Sequence, residues 1–357
     1  MYMRTLSPGI RTAVASMMLA FPAVCLPFAD PLDLAARPSP LASQSLLLSV
    51  ARAGDRVIAV GQRGHIVYSD DQGASWKQAG VPVSSDLTAV WFAGVRAGWA
   101  VGHDGVILHS ADGGQTWVKQ LDGRQAHSLM VEDLERKVAS GKYPERTKAL
   151  LTEAKRYRDE GPDKPFLDVW FPDEKNGFAV GAYNLIFRTS DGGAHWESWF
   201  DRTDNPGFHH LNAIRGAGDE LYAVGERGLV LRLDTSVGRF VARPTPYVGS
   251  FFALAVNSGY LTAFGMRGNA FMSSDKGLTW KKAGVNGESD FSAACALEDG
   301  RIVAVSQAGQ VMVSRDHGLT FDTEKGVESM VFSAVSGAGR NRIAVAGIQG
   351  VRVQSLR

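Results

Sequence analysis

Cysteine is nearly missing from this 357-residue chain, with only Cys25 and Cys295 present. That count excludes a disulfide framework and a cysteine-rich metal site. The flanks of Cys295, SAACAL, are small and apolar and predict a buried, inert thiol. An excess of one charge sign is missing too, with 38 Lys and Arg against 37 Asp and Glu. Capture of nucleic acid needs clustered cations, so no nucleic-acid partner is expected. Nor is there a long unbroken apolar run. Ala13 to Ala29 is interrupted by Pro22 and Pro27 and follows Arg4 and Arg11, the only charges before Asp30. A basic start and a short apolar stretch predict a secretory signal over 1–29, hence a periplasmic protein associated with membrane only peripherally. Ala29 suits the residue before a cut, and Pro27 suits its position poorly. Cys25 would be a lipidation site, but Val24 before it is bulkier than such sites accept. Removing the two arginines from 38 basic residues leaves 36 against 37 acidic, a near-neutral mature chain.

Glycine, by contrast, is abundant, at 40 residues. SADGGQTW at 110–117 has close variants: SDDQGASW (69–76), TSDGGAHW (189–196), SSDKGLTW (273–280) and SRDHGLTF (314–321). Before each lies an apolar strand, a G-x-x-G turn and a second apolar strand, as in VIAVGQRGHIVYS (57–69) and YAVGERGLVLRL (222–233). The first glycine or its stand-in falls at Gly61, Gly102, Gly181, Gly225, Gly265, Ser306 and Gly347. The steps are 41, 79, 44, 40, 41 and 41, so one gap holds an insertion of about one repeat. Each unit opens with a short apolar segment, such as LTAVWF (87–92), and a further short strand follows the box aromatic. Seven units of four antiparallel strands predict an all-β, seven-bladed β-propeller. The last unit stops after its third strand, while AARPSPLASQSLLLSV (35–50) aligns with VARPTPYVGSFFALAV (241–256). The propeller is therefore expected to span 30–357, its N-terminal strand closing blade seven, as a monomeric ring with protected edges.

On this frame the box falls between the third and fourth strands. Asp71, Asp112, Asp191, Asp275 and Asp316 would each accept backbone N–H groups of their own turn, with glycine supplying the positive φ that follows. Trp76, Trp117, Trp196, Trp280 and Phe321 would wedge between sheets. Calcium is the rival reading, but one fixed carboxylate per box is too few, and no metal or cofactor is expected. Catalysis needs unlike residues converging on one point, which a five-fold repeated turn does not provide. Blade four keeps only the aromatic, in LDTSVGRF (233–240).

These turns are Asp-boxes, as in sialidases and other propellers of the BNR type. The longer pattern in GWAVGHDGVILHSADGGQTW (98–117) resembles the photosystem II stability/assembly factor family and its relatives in non-photosynthetic bacteria. The resemblance covers 35–357 apart from the insertion. It implies a seven-bladed propeller with a non-enzymatic role, scaffolding membrane-protein assembly from the exported side, and a basic patch in partner contact. The expected partner is therefore a membrane protein or envelope transport complex. A sialidase-like hydrolase is the alternative, and would need Tyr183, Glu226 and Asp104 to converge. A small-ligand or lipid-binding accessory of a transporter is a third reading.

Strand connectivity puts the G-x-x-G turns and the connections between blades on one face and the Asp-boxes on the other. Arg63, Arg227 and Arg267 take equivalent turn positions, with His103 one residue earlier in its own turn. Together they form a candidate ring for a carboxylate, phosphate or acidic peptide. His209 and His210 are adjacent in an extended segment, so they face opposite sides and do not share a metal. The insertion, about 120–163 between blades two and three, has helical periodicity. Ala126, Met130, Leu134 and Val138 form one stripe, and Thr147, Leu150, Ala154 and Tyr157 another. A helical hairpin projecting from the rim is expected, its stripes covering each other, the ring or a partner.

Overall fold

The computed structural model describes residues 29–141, 144–257 and 259–356. The signal expected over 1–29 falls, up to residue 28 and with Cys25, outside the described residues. Seven sheets follow one another along the chain, each an antiparallel meander outward from its first strand, with Gly284–Val285 adding a parallel strand at the outer edge of blade six. Blade one is Leu47–Ala53, Arg56–Gly61, Ile66–Ser69 and Lys77–Gln78. Blade four is Leu211–Ala217, Glu220–Gly225, Val230–Asp234 and Arg239–Ala242. The first strand of every blade packs beside that of the next, and blade seven's Phe332–Gly337 packs beside blade one's Leu47–Ala53. The ring thus closes around a central channel.

Alternating burial follows from the pleat, since successive side chains face opposite neighbouring blades. The core is accordingly seven clusters, one at each junction between blades. The box aromatics point back into the junction with the preceding blade. Trp117 meets Phe92 edge-on at 6.0 Å, Trp196 meets Phe171 at 6.0 Å and Phe321 meets Phe264 at 5.4 Å. Trp76 and Trp280 do the same while half-buried. In blade four Phe240 fills this role, fully buried.

The boxes themselves are closed hydrogen-bond circuits. Asp112 Oδ1 accepts from Ser110 Oγ at 2.8 Å and Thr116 N at 3.0 Å, and Oδ2 accepts from Thr116 Oγ1 at 2.6 Å. The same set recurs at Asp71, Asp275 and Asp316. At Asp191 the His195 ring replaces the hydroxyl, Nδ1 lying 2.7 Å from Oδ2. Every carboxylate lone pair that a cation would use is directed into the turn, and no cluster of three metal-ligating side chains exists among the described residues.

Two expectations are corrected. Blade seven is a three-stranded sheet among the described residues. The segment aligned with an outer strand instead runs along blade one's outer connection, with Ala36 N donating to Val81 O at 3.0 Å and Ser84 N to Pro31 O at 2.9 Å. Pro38 and Pro40 break any ladder there, and Leu32 gains burial (1% exposed) in the junction of blades one and two. Only the short turn Ala42–Gln44 reaches blade seven's third strand, Gly350–Ser355. The helical hairpin is present as expected, and of the covers open to its stripes the structure shows the other helix and the ring. Helices α1 (Gly123–Ala139) and α2 (Pro144–Glu160) pack on each other, and their stripes join the junction of blades two and three. Met130, Leu134, Ala154 and Tyr157 sit in one cluster with Phe166, Phe187 and Phe200. The second correction is Cys295, which is half-buried on the channel wall rather than in a blade core, and burial there pushes its thiol up to about 12.

Candidate protein-binding face

The face opposite the Asp-boxes is built from the G-x-x-G turns. Their first glycine is dictated by a close backbone approach. A Cβ on Gly61 would lie 2.3 Å from the Leu46 carbonyl oxygen, and one on Gly225 1.9 Å from that of His210. The next residue's N–H then donates to a carbonyl just before its own blade's first strand, as in His103 to Asp86 at 2.8 Å and Ala182 to Pro165 at 3.0 Å. The chain passes through two successive left-handed residues before turning back, the second a glycine except at Asn184, and the first a side-chain-bearing residue. That first residue is Arg63 (φ 56°), Asp104 (57°), Tyr183 (51°), Arg227 (54°) and Arg267 (53°) in blades one to five. Carboxylates from the following connection anchor two of these turns, Asp86 Oδ1 accepting from Arg63 N at 2.6 Å and Asp290 Oδ1 from Arg267 N at 2.7 Å. The backbone is what repeats, and the side chains at the first left-handed position are free to vary.

Arg63, Arg227 and Arg267 are exposed and form no ion pair among the described residues; His103 is also exposed. Their distribution is not a continuous ring. Arg227 and Arg267 stand in adjacent blades, whereas blades two and three separate them from Arg63 with Asp104 and Tyr183 in the equivalent place. The three residues a sialidase reading needs do not converge either. Tyr183 and Glu226 line one cleft, but Asp104 belongs to the blade-two turn and accepts from Ser85 Oγ at 2.6 Å.

That cleft, about 530 Å³, is the feature single-sequence reasoning missed. It lies between α2 and the connection leading into blade four, walled by Tyr157, Tyr183, Phe208, His210 and Glu226. In blade three the second turn glycine is replaced by Asn184, a residue that tolerates the left-handed region (φ 64°). Its buried amide locks the connection in place, donating to Phe200 O at 3.0 Å and accepting from Thr203 Oγ1 and Asn205 Nδ2, each at 3.0 Å. Tyr183 is 44% exposed, with its ring edge-on to His210 at 4.6 Å. Tyr157 donates its hydroxyl to Tyr183 O at 3.2 Å, and burial pushes its phenol above the ordinary range. Arg156 stacks over Tyr157 at 4.9 Å while held by Glu153 at 2.8 Å and Glu160 at 2.7 Å. The result is an aromatic cleft with a mixed-charge rim. The signal for it was in the sequence, as the departure AYNL where the other blades read x-x-G.

A larger cavity, about 630 Å³, occupies the other end of the channel. Apart from Arg340, its charges are already paired: Arg52 with Glu298 at 2.9 Å, Arg301 with Asp299 at 2.7 Å and Arg215 with Asp168 at 2.5 Å. Asp168 also accepts from Ile214 N at 2.8 Å, tying blades three and four together inside the channel. Paired charges of this kind fix register between strands, and we assign the channel no ligand.

The sequence match follows the same geography. The family described as "Photosynthesis system II assembly factor YCF48" matches residues 39–129 and 157–243. The chain is a photosystem II assembly factor-like seven-bladed propeller. Between its two segments the family match omits most of α1 and α2, so the hairpin is an addition to the shared pattern of this Ycf48-like chain. The photosystem II assembly lipoprotein Ycf48 of Synechococcus sp. (strain CC9902) is 41% identical over 66 residues, 18% of this chain. That segment spans a fifth (20%) of the relative's length. Among solved structures, YCF48 from Cyanidioschyzon merolae superposes with a TM-score of 0.62 at 18% identity, covering 89% of this chain and 97% of that one. A structure of YCF48 bound to D1 peptide gives 0.60 at 15% identity, covering 88% and 94%. At these identities the structures share the fold. No helix among the described residues is long and apolar enough to cross a membrane.

Proposed function

We propose that this Ycf48-like propeller is an exported, non-catalytic assembly factor that holds a segment of a membrane protein on the face bearing the G-x-x-G turns. The observation that carries the reading is the cleft beside α2, where Tyr183 stands exposed on a turn whose backbone does not require it. Aromatic residues fixed by a rigid turn supply contact area at low entropic cost, which suits an interface anchor. Arg227 and Arg267 extend the same face with two unpaired cations for an acidic stretch of the partner. A similar propeller has been solved with D1 peptide bound, which supports a peptide segment as the ligand. The signal-like composition of residues 1–29 and the description of the Synechococcus relative as a lipoprotein support export. An envelope transport complex is one such partner.

Deleting the hairpin would strip the junction of blades two and three, so point probes are the better test. A photocrosslinking amino acid at Tyr183 or Arg227 in the intact envelope should trap a membrane protein, and one at Leu278, exposed on the Asp-box face, should not. Crosslinks from Leu278 alone would sink the assignment of the face. No membrane-protein adduct from any position would sink the scaffold reading itself.

A further inference from the structure

Where blade four lost its box, the crevice between blades three and four has become a pocket. In the five box-bearing blades the fifth box position is a glycine set against the preceding blade. A Cβ on Gly73 would lie 2.9 Å from Val353 Cγ2, and one on Gly318 2.3 Å from Thr262 Oγ1. Blade four has Val237 there, 61% exposed. Its turn closes on itself instead, Asp234 Oδ1 accepting from Ser236 N at 3.0 Å and Ser236 Oγ at 2.6 Å. A Cβ on the neighbouring Gly238 would meet nothing within 4 Å. The loop tip therefore stands off blade three, and a cavity of about 370 Å³ fills the space. Trp170, Phe178, Trp199, Leu221 and Leu233 wall it, and its volume is that of a small-molecule site.

Two observations give the ligand its chemistry. Trp199 is 3% exposed, yet its indole N–H has no hydrogen-bond partner. By contrast, the indoles of Trp91 and Trp117 donate to carbonyls at 2.8 and 3.1 Å. That nitrogen is sealed from the cavity and offers a ligand no hydrogen bond, so Trp199 contributes its ring as an apolar wall. Trp196 and Trp280 share the missing partner, but among the described residues only Trp199 has two guanidiniums over its ring. Arg188 lies at 5.3 Å and Arg202 at 4.9 Å. Both line the cavity, and neither forms an ion pair among the described residues. The other wall charges offset them only in part, since Asp219 lines the cavity without an ion pair among the described residues. Glu220 is held by Arg232 at 2.7 Å and Lys276 at 3.0 Å, and Asp219 is exposed.

We propose that this crevice binds a small aromatic carboxylate. Its ring packs among Trp170, Phe178 and Trp199, and its carboxylate meets Arg188 and Arg202. Charge-assisted bonds to arginine favour an anion over an equally shaped cation.

Phenylacetate is the probe, with phenethylamine and acetate as controls, each titrated by calorimetry and by ligand-observed NMR against the folded chain. Phenylacetate should saturate with a Kd of about 1 mM or tighter, with phenethylamine and acetate at least ~10-fold weaker. The double variant Arg188→Gln/Arg202→Gln should lose ~10-fold or more in affinity. Trp199→Leu, which removes the aromatic wall, should lose a few-fold. Thermal melts of both variants check that the ring persists. Absence of saturable phenylacetate binding, equal affinity for the amine, or unchanged binding in the double variant would each overturn the proposal.

Discussion

Asp71, Asp191 and Asp275 show how a surface carboxylate is held by its own turn. The Ser75 hydroxyl and N–H hold Asp71 at about 2, the His195 N–H does so for Asp191, and the Thr279 hydroxyl for Asp275. At Asp112 partial burial works the other way, but the Thr116 and Ser110 bonds still bring it to about 2. These folded values lie below the unfolded 3.8, so the boxes' contribution is complete above pH 4 and fades as pH falls towards 2. Acid unfolding followed by circular dichroism should steepen across that window, and an Asp112→Asn variant should show a shallower limb. Asn184 behaves differently, because its three bonds span a loop rather than a turn. Asn184→Gly restores the turn residue of the other blades but leaves Thr203 and Asn205 without their acceptor. A loss of about 1–3 kcal/mol in denaturant unfolding is expected. Box residues were legible because each box meets its own demands within eight residues. Asn184 was not, because in sequence it reads as a missing glycine, and its partners lie 16 to 21 residues away.

At the scale of elements, the hairpin's two helices were readable from spacing, but what covered their stripes was not. Periodicity names an apolar face, and only packing decides what meets it. His127 marks where this matters. It is 1% exposed beneath α2, its ring nitrogens lack partners, and burial, reinforced by nearby Lys164, lowers it to about 4. With the folded value below the unfolded 6.5, docking is strongest above pH 6.5 and weakens as pH falls towards 4. Asp163 and Glu160 nearby only partly offset this. Hydrogen exchange of α1 and α2, corrected for intrinsic rates, should show protection dropping between those values, and His127→Leu should abolish the drop. Because α2 forms one wall of the cleft, the same acidification should release a bound peptide.

Counting repeats was enough to predict the ring, since seven units, five of their six steps 40 to 44 residues long, match the period and number of propeller blades. The manner of closure could not be counted. Alignment of 35–50 with 241–256 proposed a shared sheet, and the prolines within it, together with a better burial site for Leu32, took the segment elsewhere. Blade seven's third strand, Gly350–Ser355, is therefore met by the Ala42–Gln44 turn and by Gly73 of blade one's box rather than by a fourth strand. Amides along its outer edge should exchange faster than those of the third strands of blades one to six, which outer strands cover. Equal protection in all seven would contradict this closure.

The three-stranded blade also sets how long the molecule lasts. A propeller whose ends share a sheet must break a full ladder before its ring can open, whereas here the first and last blades part by separating side chains alone. Native-state lifetime is then governed by the boundary between Phe332–Gly337 and Leu47–Ala53. Substitutions that tighten that boundary will slow unfolding more than equal stabilisation placed in any other junction.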